Sequence, residues 1–112
     1  MADVVRTVLT TLAASGSDAN DTPPVPSGVA AVVTVFGGAD INLGDGKSSA
    51  YLLQWGTVGS FQDVAVVSVS GNTFEQRIDQ SFLGDGQKFF RIMRQNNSSF
   101  AKRCPVWLKG YY

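Results

Sequence analysis

From Gly28 to the C-terminal tyrosines, runs of β-branched and aromatic residues are cut by turn-forming residues every eight to twelve positions. Spacing of that kind suits short antiparallel strands and leaves little room for helices. GVAAVVTVF, Gly28 to Phe36, is ended by Gly37 and Gly38, and its near-continuous apolarity fits a strand covered on both faces. SSAYLLQW places Tyr51, Leu53 and Trp55 on one face and Ala50, Leu52 and Gln54 on the other. FQDVAVVSVS, QKFFRIMRQ and FAKRCPVWLKGYY read as further strands, with Pro105 marking an edge or a bulge. TFEQRID is ambiguous. Phe74, Ile78 and Phe82 are spaced by four, and Asn72 with Glu75 makes a capping box, which permits a helix up to Gly84. A strand instead turns Gln76 and Gln80 inward, and we prefer it because a glutamine can be satisfied at a sheet edge. The expectation for residues 28–112 is an all-β domain, a small antiparallel β-sandwich or barrel of about seven strands.

The stretch LGDGK, Leu43 to Lys47, recurs as LGDGQK, Leu83 to Lys88. Asp-Gly between apolar runs is a strong hairpin signal, because glycine adopts positive φ and aspartate tolerates it. A phosphate loop would need a glycine five positions before Gly46, where Ile41 stands, and a helix after it. For calcium, Asp40, Asn42 and Asp45 are tempting ligands, yet in EF-hand spacing the fifth and twelfth positions are Gly44 and Tyr51. Backbone reversal is therefore the expected task of both copies, and no cofactor or metal is expected.

Residues 1–27 differ in character. Val4, Val5, Val8, Leu9 and Leu12 have the spacing of a helix face, but valine and threonine dominate and favour extended chain. Ser15 to Gly28 is dense in turn formers, and Pro23, Pro24 and Pro26 forbid helix. The expectation is an N-terminal arm and proline-rich linker reaching across the domain or to another chain, with residues 28–112 folding without it. Asp3 and Arg6 interrupt what would otherwise resemble a secretory leader, and no stretch reaches the ~18 apolar residues of a membrane span.

Histidine is absent and Cys104 is the only thiol, which removes the Ser-His and Cys-His pairs and the multi-ligand zinc sites. Carboxylates such as Asp40, Asp45 and Asp85 show no pairing in sequence, so no enzyme is expected. Cys104, before a proline in an apolar strand, reads as a small buried hydrophobe. Asn96, Asn97 and Asn20 each begin an Asn-x-Ser/Thr triplet, without a secretory context to give it meaning. The net charge is zero but unevenly spread. Residues 1–85 hold all nine acids against Arg6, Lys47 and Arg77, whereas residues 86–112 hold Lys88, Arg91, Arg94, Lys102, Arg103 and Lys109 and no acid. The plain reading is that these cations lean toward the acids of neighbouring strands; the other is a basic patch facing a second protein. Nucleic acid is not expected as a partner, because a binder usually carries net positive charge and KFFRIMR lacks the glycines of an RNA-recognition strand.

A compact β domain with a long polar arm, few charges, many aromatics and no catalytic set resembles the small structural proteins of tailed-bacteriophage particles, the capsid decoration or cement type. The resemblance rests on the arm MADVVRTVLTTLAASGSDANDTPPVPSG and the closing strand PVWLKGYY. It implies a virion protein assembled in the host cytoplasm, a homo-oligomer with a trimer as the favoured state, and binding to a major capsid protein or another virion protein. On that reading Val4, Val8 and Leu12 of the arm pack on a neighbour, Phe36, Trp107 and Tyr111 anchor the contact, and Arg91, Arg94, Lys102 and Arg103 meet acidic surface on the next subunit. The alternative is a carbohydrate- or host-surface-binding β module that uses Tyr51, Trp55 and Trp107 as stacking platforms.

Overall fold

The structure is a computed structural model and describes residues 3–41 and 47–112. Among them are ten strands and no helix: β1 (Asp3–Val8), β2 (Thr11–Leu12), β3 (Ser17–Asp21), β4 (Ala30–Ala39), β5 (Ser49–Gly56), β6 (Gln62–Val69), β7 (Thr73–Leu83), β8 (Phe89–Asn96), β9 (Lys102–Arg103) and β10 (Val106–Tyr111). One four-stranded sheet runs β1-β10-β4-β7, the other runs β3-β8-β5-β6, and β2 pairs with β9 where the chain passes between them. Every pairing is antiparallel. The outer pairings are nested in sequence. β5 pairs with β6, β4 with β7, β3 with β8 and β1 with β10, as if a long hairpin bent at residues 57–61 had been rolled up. That is the pairing scheme of a jelly roll, two four-stranded sheets built from two Greek keys.

The all-β, antiparallel expectation therefore stands, with ten strands among the described residues in place of about seven. The extra strands come from the N-terminal segment. Residues expected to form a separate arm are instead edge strands: β1 lies in register on β10 from Asp3↔Tyr111 to Val8↔Val106, and β3 lies on β8 from Ser17↔Gln95 to Asp21↔Arg91. The cause is apolar burial. Val4, Val8, Leu12 and Val25 are all buried and complete the core on one side. Asn96, wholly buried, ties the corner between β2 and β3 in place by donating from Nδ2 to the carbonyls of Ala13 and Phe100 and accepting from the Ser98 amide. That buried amide is thus no glycosylation acceptor.

The two sheets close on an aromatic core. Trp55 of β5 packs against Phe90 of β8, with ring centroids 4.5 Å apart, and across the sandwich against Phe82 of β7 at 5.4 Å. Phe74 of β7 meets Tyr51 of β5 from the opposite sheet and Phe36 of β4 from its own. Leu53, Ile92, Val33, Val106 and Leu108 are inaccessible and fill the space between. Burying each such side chain is worth about 1.5–3 kcal/mol before ordering costs.

β7 is a strand, as preferred, and register sets Gln76 opposite Phe36 and Gln80 opposite Val33, on the core-facing side. It is an edge strand whose pairing with β4 slips between Val33 and Val35, where Asp79 takes φ 46°, and at this edge both glutamines stay exposed to solvent. The first LGDG copy lies outside the described residues. In the second, Gly86 has φ 85° and Asp85 Oδ1 accepts from the amides of Gln87 (2.9 Å) and Lys88 (2.8 Å), which holds the Asp85 carboxyl below its usual range. This copy does reverse the backbone, but it carries the chain from β7 in one sheet to β8 in the other and is not a hairpin. It docks on the proline-rich segment: Gly86 donates to the Val25 carbonyl, Val25 donates to that of Lys88, and any Cβ on Gly84 would strike the Pro26 carbonyl.

Candidate functional site

The sequence asymmetry of charge becomes pairing in space. Arg94 on β8, wholly buried, satisfies all five of its N–H donors. Nε and Nη2 grip Asp18 of β3 at 2.9 and 2.5 Å, Nη1 donates to the carbonyls of Thr10 and Cys104, and Nη2 donates also to the Thr10 hydroxyl. The guanidinium in turn holds the Asp18 carboxyl below its ordinary value. Arg91, three residues earlier and on the outer face, makes a bidentate pair with Asp21 at 2.7 and 3.0 Å and lies over the Phe61 ring. That pair is partly exposed and worth about 0–1 kcal/mol.

Lys102 of β9 is also internal. Its Nζ donates to Asp40 Oδ1 at 2.6 Å, with both side chains sealed from solvent. The Ser49 hydroxyl donates to the same oxygen at 2.6 Å, and the Gly71 amide donates to Oδ2 at 2.6 Å. Burial pushes the Asp40 carboxyl up, and the Lys102, Ser49 and Gly71 donors more than reverse it, so the group stays ionised. Asp40, the lead candidate for a calcium ligand, thus has both oxygens committed to groups of its own chain. Cys104 Sγ lies 3.6 Å from Ser49 Oγ, fully buried as expected of a small hydrophobe. Aspartate, lysine, serine and thiol together suggest chemistry, yet all four residues are buried, and a substrate would have to open the domain to reach them. The cluster is a polar tie between β4, β5, β9 and the β6–β7 turn.

Of the ten residues expected at an interface, Val4, Val8, Leu12 and Phe36 lie in this chain's own hydrophobic core, and Arg94 and Lys102 serve its internal ion pairs. Those six expectations are corrected: the apolar residues cover the core, and the cations answer buried acids. Arg91 is half-buried on Asp21, while Arg103, Trp107 and Tyr111 remain at the surface. Register places Trp107 and Tyr111 on the outer face of the β1-β10-β4-β7 sheet. One row is Asp3, Tyr111, Val32 and Ser81, the next is Val5, Lys109, Val35 and Arg77, and the third is Thr7, Trp107, Gly37 and Glu75. Gly37 has a reason of close approach, because a Cβ there would stand 2.5 Å from the Trp107 indole nitrogen. The indole thus lies flat on the β4 backbone. Tyr111 and Val5 stand out beside it, 39% and 52% exposed. Sequence reasoning found the two aromatics and missed Val5, whose exposure follows from β1 joining the sheet.

The other outer face, on β3-β8-β5-β6, carries an apolar row across all four strands, Ala19, Met93, Leu52 and Val66, beside an ion-paired row of Asp21, Arg91, Gln54 and Asp63. Around the apolar row lies a shallow depression of about 240 Å³ lined by Ser17, Ala50, Leu52, Val66, Met93 and Gln95. The three proposed sugar platforms are not brought together: Tyr51 and Trp55 are core residues and only Trp107 reaches a surface. Among the described residues no group of three or more metal-ligating side chains forms, and no helix is long and apolar enough to cross a membrane. No protein-family model matches the chain, and no curated protein matches it in sequence.

Proposed function

We propose that the chain is a non-enzymatic structural protein of a virion, which self-associates and seats on a capsid lattice through the outer face of the β1-β10-β4-β7 sheet. The observation that carries this reading is the grouping of Tyr111, Trp107 and Val5 around Lys109 on one open sheet face. Aromatic anchors with a flanking cation are what protein contacts concentrate, and solvent alone gives them no partner. The jelly-roll pairing agrees with this, since capsid domains use it, but lectins use it as well, so the face and not the fold has to decide. Contact through an unfolded arm is no part of the proposal, because residues 3–25 are committed to this chain's own sheets.

Sedimentation of extracts from the source tests it. The native chain is expected to travel with very large particles, and Tyr111→Asp with Val5→Asp is expected to shift most of it to the small, free fraction, with an unchanged circular-dichroism spectrum. A native chain found only in the free fraction would refute the seating role.

A further inference from the structure

Among the described residues the two sheets present four edge strands, and three of them are guarded. β1 carries Asp3 and Arg6, the short β3 carries Asp18 and Asp21, and β7 carries Glu75, Arg77 and Asp79 together with its bulge. Charges, shortness and bulges are the devices that keep an edge from pairing with another chain. β6 is the exception. It is eight residues long, QDVAVVSV, with one charge, Asp63, near its start, and its register irregularity also lies at that end, opposite Leu53 and Gln54. From Val64 to Val69 the strand has four valines and no charged, proline or glycine residue, and among the described residues it pairs on one side alone, with β5. Val66, at its middle, is 73% exposed and ends the apolar row that begins at Ala19.

We infer that β6 is a self-association edge at which two copies of this chain pair β6 to β6 antiparallel, about a two-fold axis through Val66. This rests on the self-association part of the proposed function and names where it occurs. A two-fold pairing of one strand with itself is isologous, so whatever one copy presents the other must accept. β6 meets that condition. With Val66 facing Val66 of the second copy, Ala65 faces Val67 and Val64 faces Ser68, and Asp63, beyond the register irregularity, meets no like charge. From Ala65 to Val67 each facing pair also keeps its side chains on one side of the sheet, as continuous pairing requires. The result is one eight-stranded sheet, with the apolar row running unbroken through the axis from Ala19 of one copy to Ala19 of the other. A guarded edge offers none of this: β7 paired with itself would set Glu75, Arg77 and Asp79 against their own kind or break at the bulge. The area added by one strand pair is small beside the ~800 Å² per partner of a standard interface, so association through β6 alone should depend on concentration, and a lattice that holds copies close would complete it.

Sedimentation equilibrium over a wide concentration range, with disulfide trapping, tests the inference. Val66 and Ser68 are exposed, so Val66→Cys and Ser68→Cys leave the core untouched, and Cys104, the one native thiol, is buried. Facing Cβ atoms in such a pair are about 4.5–5.5 Å apart, close enough to bridge with slight adjustment, whereas two copies of position 68 would be separated by about 13 Å along the strands. The expected result is a concentration-dependent dimer that Val66→Cys locks under mild oxidation, that Ser68→Cys does not, and that Val66→Lys weakens roughly tenfold or more. If the native chain associates but Val66→Lys associates equally well, or if Ser68→Cys crosslinks and Val66→Cys does not, the β6 axis is wrong while self-association survives. A monomer at every concentration would overturn both.

Discussion

Deleting residues 2–27 is expected to leave a chain that does not fold. The segment supplies β1, β2 and β3, and with them four buried apolar side chains, Val4, Val8, Leu12 and Val25. Its loss also strips Arg94 of Asp18 and Thr10, leaving a buried guanidinium with the Cys104 carbonyl as its one remaining partner among the five bonds described above. Breaking such a buried pair from one side costs about 3–5 kcal/mol, and the lost apolar burial adds further terms of about 1.5–3 kcal/mol each. A domain of this size is stable by about 5–15 kcal/mol in all, so even after the smaller ordering cost of a shorter chain the balance turns against folding. The measurement is thermal denaturation of residues 28–112 followed by circular dichroism, where no cooperative transition should appear. Adding a peptide of residues 2–27 should restore one, because the edges of β8, β9 and β10 are shaped to receive it. A cooperative transition in the truncated chain alone would contradict the role assigned to the N-terminal strands.

Lys102→Ala is expected to destabilise the protein by about 3–5 kcal/mol, since it leaves the Asp40 carboxylate buried without its counter-ion. Asp40→Leu combined with Lys102→Met should recover most of the loss, because a matched apolar pair leaves no charge behind. The pH dependence is more telling than the magnitude. In the native protein the Asp40 carboxyl sits below its ordinary 3.8, so the stability it contributes is complete above that value and drains away as pH falls through the depressed folded value. In Lys102→Ala, where burial stays and the strongest of the groups holding the carboxyl down is gone, the carboxyl is expected to rise above its ordinary value. That contribution then has the opposite slope, greatest in acid and lost as pH climbs through the raised value. Asp18, also held low, acts alike in both proteins, so the difference between their urea midpoints across pH isolates Asp40. Parallel pH profiles for the two would show that Lys102 does not set the state of Asp40.

The class of fold was legible because period two and turn chemistry are local. Tyr51, Leu53 and Trp55 had to share a face whatever the topology, and they do. The fate of residues 3–21 was not legible, because valine-rich polar chain is equally suited to a free arm and to an edge strand. What decides is whether β8 and β10 leave an open edge, which no local pattern encodes. For the same reason the second LGDG read correctly as a reversal and incorrectly as a hairpin: φ at Gly86 is a local property, but the sheet that β8 joins is not. The candidate face was half visible. Tyr111 and Trp107 were marked by size and position, whereas Arg94 and Lys102 were marked by charge and proved to be internal. The clue lay in the opposed charges of the two ends of the chain, which matched partners seventy-six and sixty-two residues apart.

The nesting of the strands also sets the order in which the chain can find its shape. Asp3 lies beside Tyr111 and Ser17 beside Gln95, so β1 and β3 emerge from synthesis long before the strands that hold them exist. Until then Val4, Val8 and Leu12 have nothing to cover, and the β5–β6 hairpin is the piece that can close early. Folding should therefore proceed outward from that hairpin and finish slowly, as is general where contacts join distant parts of a sequence. The newly made chain would spend that interval with the nearly uncharged edge of β6 already formed and its two ends still loose.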